Sequence, residues 1–126
     1  MSGIESSRSV GAKGERIAEK FLKKNGYKVL KKNFLSAHGE IDLIVQNKEF
    51  LVFVEVKSRK DSEYNFTNYG LPCEAVNKTK QKHIIYTARH YLQRYPTDKA
   101  MRFDVIEVLN GEINHIESAF FADDVC

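Results

Sequence analysis

Tryptophan is absent from this 126-residue chain, and cysteine and proline occur only twice each. Cys73 and Cys126 have no metal-ligand spacing, so neither a zinc knuckle nor a disulfide framework organises the fold. Two lone thiols fit a reducing compartment. Pro72 and Pro96 punctuate the chain without forming a Pro-rich linker, and no internal repeat or low-complexity segment divides it. Long apolar runs are missing too: Leu51–Val54 is only four residues, against about 20 for a membrane helix. Met1–Ser9 has no apolar core after a basic start and does not read as a secretion signal. The expectation is a cytoplasmic protein with no membrane partner.

What is present is an ordinary globular composition, 42% hydrophobic and 29% charged. A chain of this length buries roughly two-thirds of its unfolded surface, enough to fold without a staple. One domain over residues 1–126 is expected, with a core at about 9–117 and an acidic C-terminal tail. Residues 1–102 hold all 20 Lys and Arg against 11 of the acids, and residues 103–126 hold the other six acids and no Lys or Arg. A basic body suits a polyanion such as nucleic acid, although a solvated basic helix face has the same signature.

Val10, Ile17, Ala18, Phe21 and Leu22 recur at helical spacing, and Asn25-Gly26 is a stop signal, predicting a helix from about Ser9 to Asn25. Tyr27–Lys32 reads as a short strand. Glu40–Val45 and Phe50–Val56 read as strands joined by a turn at Gln46–Glu49. Ile41, Leu43 and Val45 are expected on one face, with Ile44, Leu51 and Phe53 on the other, the pattern of a sheet covered on both sides. Ser58–Cys73 reads as a long loop carrying Tyr64, Phe66 and Tyr69. Asn77 or Thr79 caps a second helix running to about Tyr95, with Ile84, Ile85, Ala88, Leu92 and Tyr95 as its stripe. Met101–Leu109 and Ile113–Ile116 flank the hairpin signal Asn110-Gly111. This order predicts an α/β sandwich around a mixed sheet.

Charges break the two most apolar strands at Glu40, Asp42, Glu55 and Lys57. A buried charge is costly unless it is paired or holds a metal, so these positions stand out as a candidate site. Glu55 and Lys57 share a face because strand side chains alternate. An odd loop between the strands, without a bulge, would put Asp42 on the other face. With an even loop, a register in which paired numbers sum to 97 would set Asp42 opposite Glu55, and sums of 95 or 99 would set it on the diagonal. Two carboxylates so placed repel unless a cation lies between them, and Mg²⁺ suits an all-oxygen set. Lys57 would then hold a water or offset charge growing on a phosphate. A structural salt bridge is the competing reading. Glu15, on the border of the first helix's apolar stripe, reads either as a site carboxylate or as an exposed helix acid. Glu40 either joins the metal shell or caps the strand edge.

Gly14-Glu15, Asn25-Gly26-Tyr27, Gly39-Glu40-Ile41-Asp42-Leu43-Ile44, Phe53-Val54-Glu55-Val56-Lys57-Ser58-Arg59 and Arg102-Phe103-Asp104-Val105 together resemble the bacterial YraN, or UPF0102, family over about residues 10–108. That family looks like the PD-(D/E)xK nucleases, most of all the archaeal Holliday-junction resolvases. The resemblance implies a restriction-endonuclease-like central mixed β-sheet flanked by α-helices. It implies that Asp42, Glu55 and the backbone carbonyl of Val56 bind Mg²⁺ or Mn²⁺, that Lys57 is the catalytic lysine and that Glu15 is a site carboxylate. The chain departs from the superfamily in having Ile41 where Pro is usual, and from many family members in having Leu35 where Arg follows the Asn-aromatic pair.

Two functions follow as expectations. One is a metal-dependent DNA endonuclease or exonuclease, cleaving branched or single-stranded DNA in repair or recombination. Arg16, Lys57, Arg59, Lys60, Lys78, Lys80 and Lys82 would hold its phosphates. The other is a catalytically weak nuclease-fold module that binds DNA and recruits repair or recombination partners. Analogy with resolvases adds a homodimer to the first.

Overall fold

The protein is described here by a computed structural model covering residues 7–59 and 76–122. Helix α1 spans Ser7–Lys24. It ends where Gly26 takes φ +87°, a conformation glycine adopts without a Cβ penalty. There the amide of Tyr27 donates to Leu22 O (3.0 Å), and Asn25 Nδ2 donates to Phe21 O (2.8 Å), satisfying the last carbonyls.

Strands β1 (Lys28–Ser36), β2 (Gly39–Gln46) and β3 (Phe50–Arg59) follow as an antiparallel meander. The β2–β3 turn is an Asx turn: Asn47 Oδ1 accepts from the amides of Glu49 (2.9 Å) and Phe50 (2.7 Å). Helix α2 (Lys78–Arg94) opens with Asn77 as its N-cap, whose side chain accepts from Lys80 N at 2.9 Å. Strands β4 (Ala100–Leu109) and β5 (Glu112–Phe120) complete a five-stranded sheet of order β1-β2-β3-β4-β5. Only β3 and β4 are parallel, and α2 lies in the crossover that such a pair requires. The Asn110-Gly111 turn has positive φ at both residues, +51° and +84°, as a tight two-residue hairpin demands. The architecture is α/β, a mixed sheet flanked by helices, consistent with a restriction-endonuclease-like fold.

Each sheet face buries one helix. Ile84, Ile85, Ala88 and Tyr91 of α2 pack on Ile44, Leu51, Phe53, Phe103 and Val105. Ala18 and Leu22 of α1 pack on Leu43, Val45, Val52, Val54, Ile106 and Val108. Strands β3 and β4 therefore alternate strictly between the two layers.

Strand β2 does not. Ile41, expected beside Leu43 and Val45, packs in the α2 layer with Ile44. The paired strand shows why. Lys32 faces Leu43 and Phe34 faces Ile41, and between them Asn33 adopts φ +53°. The alternation slips at Asn33 and Asp42 on both strands together. For the same reason β1 runs on to Ser36, past the predicted end at Lys32: a residue of low strand preference sits inside the strand without ending its pairing.

Strand β5 extends to Phe120 beyond the predicted Ile116, with Ser118 at φ +52° and a register shift opposite it on β4 between Phe103 and Val105. Strand β3 continues through Arg59, because the ladder to β4 holds as far as Arg59 and Leu109. The rest of the expected loop, with Lys60, Tyr64, Phe66, Tyr69 and Cys73, lies outside the described residues, as does Cys126. Among the described residues no helix is long and apolar enough to cross a membrane.

Candidate functional site

The β2–β3 ladder has the register in which paired numbers sum to 97, but it stops at Leu43 and Val54. Asp42 and Glu55 are the next positions along. There the strands cease to exchange backbone bonds, and the Asp42 side chain takes over: its Oδ2 accepts from the Val56 amide at 2.8 Å. Expected to face Glu55 directly, Asp42 instead occupies the notch where the two strands part. Its carboxyl still reaches Glu55 through a side-chain hydrogen bond.

Glu55 is 8% exposed. Its Oε2 lies 3.2 Å from Lys80 Nζ, so α2 supplies a cation to this side of the notch. Burial, the hydrogen bond to Glu55 and the Glu55 charge push the Asp42 carboxyl up to about 8, against the smaller opposing pull of the Val56 amide and Lys80. The Asp42 carboxyl therefore keeps its proton to higher pH than an ordinary aspartate. Lys57 is half-buried two residues beyond Glu55, and its strand neighbour across the parallel ladder is the buried Glu107.

Glu15 approaches from α1. Gly14 makes this possible: a Cβ there would lie 1.5 Å from Ser58 Oγ, so the helix meets β3 at closer range than any side chain permits. Burial first, then the charges of Asp42 and Glu40, raise the Glu15 carboxyl above its ordinary value. Asn33 restrains it. With its amide nitrogen turned toward the acids, Asn33 donates to Glu40 Oε1 (2.8 Å) and Glu15 Oε1 (3.0 Å). The left-handed backbone at Asn33 thus serves a purpose: it delivers one amide between two carboxylates. Glu15, Asn33, Leu35, Glu40, Gly11 and Ala12 line a cleft of about 550 Å³.

The structure therefore brings Glu15, Glu40, Asp42 and Glu55 to one end of the sheet, with Lys57 and Lys80 beside them. Arg16, Lys78, Lys80 and Lys82 are exposed, as phosphate contacts need to be. Arg59 ends β3, and Lys60 is outside the described residues. Nothing in the sequence assigned Asn33 a site role: it stood just past the expected strand end, as the Asn of the Asn-aromatic pair before Leu35, and only the longer β1 places it mid-strand, where an Asn tolerates left-handed backbone.

The donor set suits a hard divalent cation. Asp42 and Glu55 present oxygen ligands, the Val56 carbonyl belongs to the strand residue between Glu55 and Lys57, and the strain of two apposed carboxylates, seen in the raised Asp42 carboxyl, is what a positive charge would relieve. Among the described residues no three of His, Cys, Asp or Glu gather closely enough to form a complete metal cage. The two carboxylates would leave remaining positions to water and phosphate, the usual condition of Mg²⁺.

One other buried acid is compensated by cations. Midway along β4, Asp104 accepts from Arg102 Nε (2.9 Å) and Nη2 (2.8 Å), pairs with His115 Nε2 (2.7 Å) and accepts from the Ser118 amide (3.0 Å). Burial alone would raise its pKa, but these donors hold it below the usual carboxylate value. Arg102 in turn stacks over Phe50 and Tyr27. With its acid fully partnered, this network is structural.

A model described as "Uncharacterised protein family UPF0102" matches residues 14–108. A UPF0102 protein of Clostridium acetobutylicum is 42% identical over 90% of this chain and 95% of its own length. One from Caldanaerobacter subterraneus is 46% identical over 90% and 95%, and one from Clostridium beijerinckii is 45% identical over 90% and 94%. The matched span runs from the first helix to the end of β4, and the chain belongs to the UPF0102 family.

Proposed function

We propose that this protein is a metal-dependent nuclease that hydrolyses DNA phosphodiester bonds in the cytoplasm, using Mg²⁺ or Mn²⁺. The observation that carries this reading is the Asp42–Glu55 pair, two carboxylates joined at the point where their strands separate, with Lys57 on the same strand. Asp42, Glu55 and the Val56 carbonyl would hold the ion. Bound there, the ion supplies Lewis-acid activation of water and phosphate. The Val56 amide fixes the Asp42 carboxylate, so the site is organised before substrate arrives. Lys57 offsets the charge that grows on the phosphate. Glu15, restrained by Asn33, orients a water at the cleft side of the pair. Arg16, Arg59, Lys60, Lys78 and Lys82 bind the flanking phosphates, and Lys80 joins them when a cation replaces it at Glu55.

A second reading is a DNA-binding module with little turnover, which recruits repair or recombination partners. One observation favours it: Lys80 Nζ already pairs with Glu55 Oε2 at 3.2 Å, in the place a cation would take. Cleavage assays on branched, flapped, single-stranded and plasmid DNA separate the two. The nuclease reading expects cleavage only with Mg²⁺ or Mn²⁺ and its loss in Asp42→Asn. Equal cleavage by that variant, or none by wild type on any substrate, favours the module. A homodimer acting on two-fold branched DNA belongs to the nuclease reading, and sedimentation with and without a four-way junction tests it.

A further inference from the structure

Beyond the carboxylates, α2 presents a group of rings that the chemistry above does not use. Tyr86 is 42% exposed. Its ring centroid lies 4.3 Å from that of His38 and 4.8 Å from that of His90. Both histidines are exposed as well. Three rings thus gather at the surface, where core aromatics would be buried.

The group is held rigidly. His38 sits at the tip of the β1–β2 hairpin, and that tip is fastened to α2. Ser36 Oγ lies 2.7 Å from Thr87 Oγ1, which donates to His83 O at 2.8 Å. The His38 amide donates to Ser36 Oγ at 3.2 Å. Gly39 allows this contact, since a Cβ there would meet His83 Cβ at 3.2 Å. The rings are therefore fixed by two elements that also build the candidate site.

Along α2, the charges beside the rings have one sign. Lys82 and Arg89 stand four before and three after Tyr86, on the same side of the helix, and α2 contains no acid. Position adds to this. Lys80 touches Glu55, and Tyr86 is six residues further on, about 9 Å along the helix axis. That is about three nucleotides at the 3.4 Å spacing of a stacked strand.

We propose that Tyr86, with His38 and His90, is a stacking platform for unpaired bases of a single DNA strand whose phosphates are held by Lys82 and Arg89. The inference rests on the nucleic-acid reading above and adds the class of strand: one with unpaired bases beside the cut. Aromatic faces accept any base, so the platform selects for single-strandedness rather than sequence.

The test uses the full chain with a chelator, so that nothing is cut. Fluorescence anisotropy compares a labelled oligothymidylate with a blunt duplex of equal length. Tyr86→Ala should weaken oligothymidylate binding by about ten-fold, in line with the loss of one stacked base, and leave duplex binding within two-fold. Tyr86→Phe, which keeps the ring face, should bind both as wild type does. His90→Ala should show a smaller loss confined to the single strand, and serves if Tyr86→Ala fails to melt cooperatively. Unchanged oligothymidylate binding in these alanine variants, or equal losses on both DNAs, overturns the platform. If metal-dependent cleavage is absent while the selective loss remains, the nuclease reading falls and the platform stands. If cleavage is present and Tyr86→Ala binds single strands normally, only the platform falls.

Discussion

Gly14 and Ser58 touch at a distance that admits no side chain between them: a methyl group on residue 14 would lie 1.5 Å from Ser58 Oγ and 2.8 Å from Ser58 Cβ. This contact sets how near α1 comes to β3, and so how near Glu15 comes to Asp42. Gly14→Ala gains up to about 1 kcal/mol of helix propensity but incurs overpacking of about 1–3 kcal/mol. The clash is with a strand in the centre of the sheet, so it should win. Gly14→Ala is expected to melt lower than wild type, and the double variant with Ser58→Gly to recover most of the loss. A Gly14→Ala protein as stable as wild type would show that α1 can retreat freely.

Asp42 should make the metal-free protein less stable as pH rises. Its folded pKa, raised to about 8 chiefly by burial and by Glu55, exceeds the ordinary 3.8. The folded state therefore keeps a proton that the unfolded chain has released between those values. The associated stability is fully present below 3.8 and is lost as pH climbs through about 8. Asp42→Asn keeps an oxygen for the Val56 amide and removes the titrating group. It should flatten the pH dependence and melt above wild type at pH 8, as thermal melts across pH 4–9 would show.

Divalent metal should reverse that order. An ion bound only by the native state raises the melting temperature by mass action. Wild type should gain several degrees in millimolar Mn²⁺, and Asp42→Asn and Glu55→Gln should lose most of that gain. If Glu55 is instead only the partner of Lys80, Glu55→Gln will melt lower and metal will do nothing specific.

Lys57→Ala is expected to abolish cleavage while leaving DNA affinity within a few-fold of wild type, because the other exposed basic residues carry most of the phosphate binding. Turnover retained by this variant, in protein free of host nuclease, would remove Lys57 from the mechanism.

The Arg102–Asp104 lock calls for a different outcome. Asp104 is 1% exposed and Arg102 8%. Asp104→Asn leaves a buried guanidinium short of its partner, which costs about 3–5 kcal/mol. Urea denaturation should show this loss with no change in metal response, since the lock lies on the α1 face of the sheet and Glu55 on the α2 face.

The local code of this chain was legible wherever neighbours in sequence decide the outcome. Asn25-Gly26, the Asn77 cap and Asn110-Gly111 act within a few residues, and each ends or starts its element as its chemistry requires. Charges inside apolar strands marked Asp42, Glu55 and Lys57, because burial of a charge is costly in any fold. Alternation allowed the observed β2–β3 register among several, and the fold chose it. What lay beyond sequence was the slip at Asn33 and Asp42. It moved Ile41 to the α2 layer, carried β1 past its expected end and turned Asp42 toward the Val56 amide. A left-handed residue within a strand gains nothing locally. Its return comes from Glu15 and Glu40, which the fold brings to Asn33 from another helix and another strand. The Lys80–Glu55 pair and the ring group around Tyr86 have the same origin, since each joins residues that only the packing of α2 against the sheet makes neighbours.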